Sequence, residues 1–155
     1  MIDRYALPEL REIFGERHKL QLWLRIELLA VEALRDAGVV PEADWERIRS
    51  AGAEVDIARA REIERESQHD VIAFLRSVTE RLGPEGRWLH YGLTSSDVLD
   101  TATAVVLRDA TAVVEVELAR LALAKAVVLF AGLGNSDPEQ LKGKALRIMK
   151  MPDAA

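Results

Sequence analysis

The residues best equipped for chemistry in this chain lie in the run His90-Tyr91-Gly92-Leu93-Thr94-Ser95-Ser96-Asp97. Three small hydroxyl side chains stand directly before a long helical pattern that carries an acid in its first turn. A helix N-terminus leaves backbone N–H groups without partners and carries partial positive charge. Hydroxyls beside such groups make a seat for a carboxylate or a phosphate. Gly92, just upstream, lets the backbone turn tightly. The plainer reading is a capping box, Thr94-x-x-Asp97, which starts the helix and does nothing else. Local pattern leaves both readings open.

The chain has only three histidines, so each can be weighed. His18 sits between Arg17 and Lys19 and reads as a surface or helix-flanking residue. His69 lies between Gln68 and Asp70 at the start of an amphipathic pattern, where the acid can cap a helix and also orient the ring. Imidazole suits proton transfer or anion binding near neutral pH. His90 falls in a loop, the usual place for both ordinary and functional histidines. Arg4 and Tyr5 stand near an end that would normally fray, yet an Arg beside a Tyr can grip a phosphate with its planar fork.

Composition narrows the classes. With 155 residues the chain can bury one real core. A net charge of −5 argues against general nucleic-acid binding, so an anionic ligand would need a local cluster of Arg, His and N–H groups. The absence of cysteine excludes disulfides, thiolate metal sites and a Cys nucleophile, and fits a reducing compartment. Met1 to Tyr5 contain no apolar signal segment, and the longest uncharged apolar stretch, Ala126 to Gly134, falls well short of the ~20 residues of a membrane span. The expected setting is cytoplasmic, with no membrane partner. No P-loop or metal-spaced His/Glu motif appears, so neither a metal nor a cofactor is expected.

The elements that must position these residues all read as helices, and no strand-like alternation occurs. An apolar period runs from Pro8 through Leu34 and stops at Gly38 and Pro41. A short helix follows over 41–51, with Trp45 and Ile48 on one face, and Gly52 breaks it. A charge-laced outer helix is expected over 55–66, and another from Gln68 or His69 to Leu82 with a stripe of Val71, Leu75, Val78 and Leu82. A loop from Gly83 to Leu93 leads to a helix that begins near Ser96 and reaches at least Lys125. Its apolar residues cover more than one face, so it must be buried by several neighbours. This chain has too few long helices to supply them, which points to a bundle completed by more protein. The expected class is all-α: a small helical domain over 1–95, a long bundle helix over 96–131 and a divergent tail over 132–155. Breakers Gly132 to Pro138 mark that tail, and a basic segment from Leu141 to Met151 reads as weakly helical or disordered.

Together these blocks resemble the N-terminal part of the adenylosuccinate lyase family, within the fumarase/aspartase superfamily. The resemblance covers roughly residues 1–125. It rests on Met1-Ile2-Asp3-Arg4-Tyr5, Trp23-Leu24-Arg25-Ile26-Glu27, Glu62-Ile63-Glu64, His69-Asp70-Val71-Ile72-Ala73-Phe74 and the run from His90 to Asp97. Ser95-Ser96-Asp97-x-x-Asp100-Thr101-Ala102 resembles a signature of the whole superfamily. The wording of the His90–Asp97 run and the Arg4-Tyr5 start are more specific. The resemblance implies an all-α homotetramer with active sites where three subunits meet. It implies β-elimination of fumarate from adenylosuccinate, giving AMP, and from the succinyl-carboxamide ribotide of purine biosynthesis, without a cofactor. It assigns Arg4 and Tyr5 to the nucleotide, His69 and Asp70 to substrate binding with His69 as a proton-transfer candidate, and Thr94 and Ser95 to a succinyl carboxylate. Gln68 stands where many relatives carry Arg. His90 and Ser96 are further candidates.

Elimination also needs a base for the succinyl carbon and an acid for the departing nitrogen. In the family these come from a later Thr-His segment and a mobile Gly-Ser-Ser loop, and neither occurs in this sequence. The expectation is a lyase region truncated before its catalytic segments and inactive alone, its tail the product of a frameshift, a premature stop or a fused end. Two other readings stand beside it. One is a non-catalytic helical oligomerisation module using the apolar long helix. The other is a related lyase acting on argininosuccinate.

Overall fold

The computed structural model of the chain describes residues 5–51, 55–134 and 137–149. Arg4, Gly52, Asn135, Ser136 and the end of the tail therefore lie outside the described residues. All regular elements among the described residues are helical: α1 Pro8–Ile13, α2 Glu16–Asp36, α3 Glu42–Ser50, α4 Ile57–Ser67, α5 Asp70–Thr79, a 3₁₀ turn Pro84–Trp88, α6 Ser95–Gly132 and α7 Pro138–Met149. The all-α reading holds. None of these helices is long and apolar enough to cross a membrane.

The single helix expected from Pro8 to Leu34 is two helices. The chain leaves α1 at Phe14 and re-enters a helix at Glu16, with Gly15 extended between them (φ −73°, ψ 147°). A side chain at Gly15 would place its Cβ 3.0 Å from the Glu12 carbonyl oxygen and 3.1 Å from that of Arg11. The apolar period runs through this break without showing it, although α1 buries no residue and, of the two, α2 alone faces the core. The loop expected over 83–93 contains the 3₁₀ turn. Pro84 opens that turn, and Gly86 is buried there with Thr79 and Leu82 close by.

The chain forms two compact units, 1–108 and 109–155. In the first, α2 contributes Leu20, Trp23, Leu24 and Val31 to the core, α3 contributes Trp45 and Ile48, and α5 contributes Val71, Phe74, Leu75 and Val78. Trp23 and Phe74 meet edge to face with centroids 5.6 Å apart. Leu89 from the loop and Val98 and Ala102 from the first turns of α6 close the same core. This anchors the start of α6, and with it the hydroxyl run, to a packed interior.

α4 and α5 form an antiparallel pair joined by Gln68 and His69. Arg59, at the start of α4, grips Glu80 just past α5 with two hydrogen bonds of 2.8 and 2.7 Å, and Arg81 reaches Asp56 at 3.0 Å. In the second unit, α6 exposes Val114, Val116, Leu118, Leu121, Val128 and Leu129. Val114, Leu118, Leu121 and Val128 fall on one stripe, with seven residues from Val114 to Leu121 and seven more to Val128, the spacing of a helix seam.

Two carboxylates of the α4–α5 pair are held below their ordinary range. Asp56 is lowered mainly by the hydrogen bond from the Arg59 backbone N–H, with the Arg81 guanidinium adding to it. Glu80 is lowered mainly by the hydrogen bonds from Arg59. A group whose folded pKa is depressed contributes stability at neutral pH and loses it as pH falls through that folded pKa. Melting temperature should therefore decline as pH drops through the carboxylate range. Glu80→Gln should melt lower at neutral pH and show a shallower acid decline, both read by circular dichroism.

Candidate functional site

Asp70 opens α5, but the cap is His69. Its Nδ1 accepts from the Ile72 N–H at 3.4 Å, the position that a Ser or Asp oxygen usually fills. A ring nitrogen that accepts carries no proton, so in the neutral ring the proton sits on Nε2, away from the helix end. The His69 side chain is half exposed. Asp70 does not orient the ring through a hydrogen bond, as its Oδ1 lies 3.8 Å from Nδ1 and accepts instead from the Val71 N–H at 2.7 Å. Gln68 adopts left-handed backbone (φ 53°) and ends α4, and its side-chain amide donates to the Arg65 carbonyl at 2.8 Å. That amide is thus committed to the helix end. Gln68 also lines an open polar groove with Arg61, Glu64 and Arg65.

At the head of α6, Thr94 takes the cap position. Its backbone N–H donates to Asp97 Oδ2 at 2.7 Å, and the Asp97 N–H donates to the Thr94 carbonyl at 3.1 Å. The capping-box reading is half realised: the acid reaches back, while no hydrogen bond uses the hydroxyls of Thr94, Ser95 or Ser96 among the described residues. Thr94 and Ser96 are exposed and Ser95 is half-buried. The two readings of this run are therefore compatible. Asp97 satisfies the helix end, which leaves the hydroxyls unspent beside it.

The loop that delivers this run is held by two carboxylates. Glu27 of α2 has no solvent exposure at all. One of its oxygens accepts the His90 backbone N–H at 2.6 Å and the other lies 2.7 Å from His90 Nδ1. Asp44 of α3 accepts from the Trp88 indole N–H at 2.8 Å and from Arg87 at 2.9 Å. Trp88 and Tyr91 then pack edge to face with centroids 5.3 Å apart. His90 itself is left-handed (φ 61°), and Gly92 follows at φ 75°. Among the described residues only Gln68 and His90 are non-glycine residues with positive φ. Such backbone costs of order 1–3 kcal/mol each and persists where the surroundings over-determine it.

Sequence reasoning missed Glu27 as a site residue. The signal was present: Leu20, Trp23, Leu24, Glu27 and Val31 share one helical face, and Glu27 is the lone acid on it. A charge at a core-facing register position needs a buried partner.

No hydrogen bond or ion pair joins His69 or Asp70 to Thr94, Ser95 or His90 among the described residues. Tyr5 is 75% exposed, and Arg4 lies outside the described residues. His18, read as a surface residue, is half-buried, with its Nε2 shielded and without a hydrogen-bond partner.

Residues 4–126 match a family described as Lyase. An adenylosuccinate lyase from Staphylococcus saprophyticus subsp. saprophyticus is 46% identical over 120 residues, which is 77% of this chain and 28% of that protein. A crystal structure of a fumarate lyase from Mesorhizobium sp. BNC1 superposes with a TM-score of 0.69 at 25% identity, covering 79% of this chain and 30% of that one. The chain thus spans less than a third of the length of either relative.

Removing a shared acceptor leaves the buried donors it served unsatisfied, at a cost of about 1–3 kcal/mol. Glu27→Ala should lower the unfolding free energy of the chain by about that amount. Urea titration followed by circular dichroism measures it, and a loss below 1 kcal/mol would contradict the role given to this carboxylate.

Proposed function

The chain belongs to the lyase family, within the fumarase/aspartase superfamily, and from that premise we propose that residues 4–126 are the substrate-gripping part of an adenylosuccinate lyase. The observation that carries this reading is the unspent hydroxyl pair Thr94–Ser95 at the positive end of a 38-residue helix. A succinyl carboxylate seated there would accept from both hydroxyls and meet the favourable end of the helix dipole. Nε2 of His69 is the ring atom free to face substrate, either as a hydrogen-bond donor or in proton transfer. Arg4 and Tyr5 would take the nucleotide portion, Gln68 and Asp70 would flank His69 in substrate binding, and His90 and Ser96 are further candidates.

The reaction breaks a C–H bond and the adjacent C–N bond of the succinyl group and forms the double bond of fumarate, with AMP or the carboxamide ribotide as the other product. A base takes the carbon's proton and an acid returns one to the departing nitrogen. This sequence holds neither the Thr-His segment nor the Gly-Ser-Ser loop that supplies these groups in the family. Residues 4–126 therefore bind and orient, and chemistry requires the remaining bundle. One observation supports completion by other subunits in a homotetramer: the exposed seam Val114, Leu118, Leu121 and Val128 on α6. The same seam favours a second reading, a helical oligomerisation module without catalysis. A cytoplasmic setting accords with the cysteine-free sequence.

The test grafts residues 4–126 onto the Staphylococcus relative in place of its matching segment. The graft should release fumarate from adenylosuccinate and not from argininosuccinate, and Ser95→Ala in it should lower kcat/KM about 100-fold, the usual effect of losing one charge-stabilising donor. A folded, assembled graft with no fumarate release, or an unchanged rate after Ser95→Ala, would overturn the reading. The 155-residue chain alone should give no turnover.

A further inference from the structure

The Glu27–His90 pair is the one fully buried carboxylate among the described residues that faces a titratable ring, and neither the family match nor the sequence motifs assign Glu27 a part. The carboxylate has two oxygens and both are used, one on the His90 backbone N–H at 2.6 Å and one on the ring at Nδ1 at 2.7 Å. An ionised carboxylate only accepts, so the ring nitrogen that faces it, Nδ1, carries the proton and donates. That leaves Nε2 as the ring's open nitrogen, on a side chain only 19% exposed.

The backbone contact matters as much as the ring contact. His90 is held at φ 61°, Gly92 follows at φ 75°, and Thr94 begins the cap of α6 two residues later. The carboxylate therefore fixes the first residue of the turn whose last residues are the hydroxyl pair. Leu89 and Leu93, on either side, are set into the core and keep the turn from sliding.

We propose that Glu27 is a positioning residue: it holds His90 in the Nδ1–H tautomer, which leaves Nε2 as an acceptor for a ligand hydroxyl or N–H, and it fixes the turn that aims Thr94 and Ser95 at a carboxylate of the same ligand. The inference deepens the reading of this terminus as a carboxylate seat and rests on that reading for the ligand. The positioning itself needs no ligand to be seen.

Glu27→Gln separates positioning from mere packing. The amide has the same shape, but one oxygen becomes a donor. The His90 backbone N–H cannot change its role and takes the remaining oxygen. The amide N–H then faces Nδ1, which must become an acceptor, so the ring proton moves to Nε2. The experiment is nitrogen NMR of the full chain labelled with ¹⁵N-histidine, above the pH at which the rings are protonated. The wild type should show His90 with the proton on Nδ1, and Glu27→Gln should show it on Nε2. His69, whose Nδ1 accepts from Ile72, should carry its proton on Nε2 in both and serves as the internal reference.

Wild-type His90 with its proton on Nε2 overturns the proposal, as does a folded Glu27→Gln with no exchange of tautomer. Should Glu27→Gln not fold, the wild-type assignment and His90→Asn decide. Asn adopts left-handed backbone readily and its amide can still donate to Glu27. Amide shifts of Thr94 and Ser95 that stay at their wild-type values in His90→Asn support the proposal, and displaced ones overturn it. A tautomer exchange together with a graft that releases no fumarate would keep the positioning and sink the lyase reading. Fumarate release without the exchange would do the reverse.

Discussion

The structure of the site depends on one buried charge. Glu27 sits on the apolar face of α2 among Leu20, Trp23, Leu24 and Val31, where an unpaired carboxylate would cost several kcal/mol. Its cost is met only while His90 supplies both a backbone and a ring donor. This requirement is geometric. One carboxylate takes both donors of His90, whose backbone is left-handed. The core of the first unit thus dictates the conformation of a surface turn and, through it, the point where α6 begins.

The second candidate segment shows the same economy at a different helix end. Gln68 bends through left-handed backbone and spends its amide on the end of α4, while His69 spends Nδ1 on the start of α5. What remains is one ring nitrogen, half exposed, at a helix N-terminus. At α6 the acid Asp97 does the capping, which leaves the hydroxyls of Thr94 and Ser95 unspent. In both places the fold satisfies its own backbone with one group and leaves a neighbouring group free. Free donors at two helix N-termini favour a negatively charged group over a neutral one.

Much of this was legible in the sequence. The helical periods gave the all-α class, the break at Gly38 and Pro41 and the long apolar helix, because burial imposes the 3.6-residue spacing directly. The cap formed by Thr94 and Asp97 could be read because cap chemistry is local. Other features were not local. The corner at Gly15 leaves the apolar period intact and shows itself only in the close approach of the Glu12 carbonyl. The capping role of His69 displaced the one expected for Asp70, since a ring nitrogen can fill a cap that sequence statistics assign to oxygen. The partner of Glu27 lies 63 residues away, and a pairing at that distance leaves no mark in a window of sequence. Only the oddity of an acid on an apolar face hinted that such a partner existed.

Amide hydrogen exchange across residues 88–98 of the wild-type chain tests the central claim most directly, that a core carboxylate locks the surface turn. If the Glu27–His90 pair holds the turn, the His90 amide should exchange as slowly as those of the α2 and α5 core, by global unfolding alone. Fast exchange of the His90 amide, with α2 and α5 still protected, would show that the turn opens independently and would contradict the account.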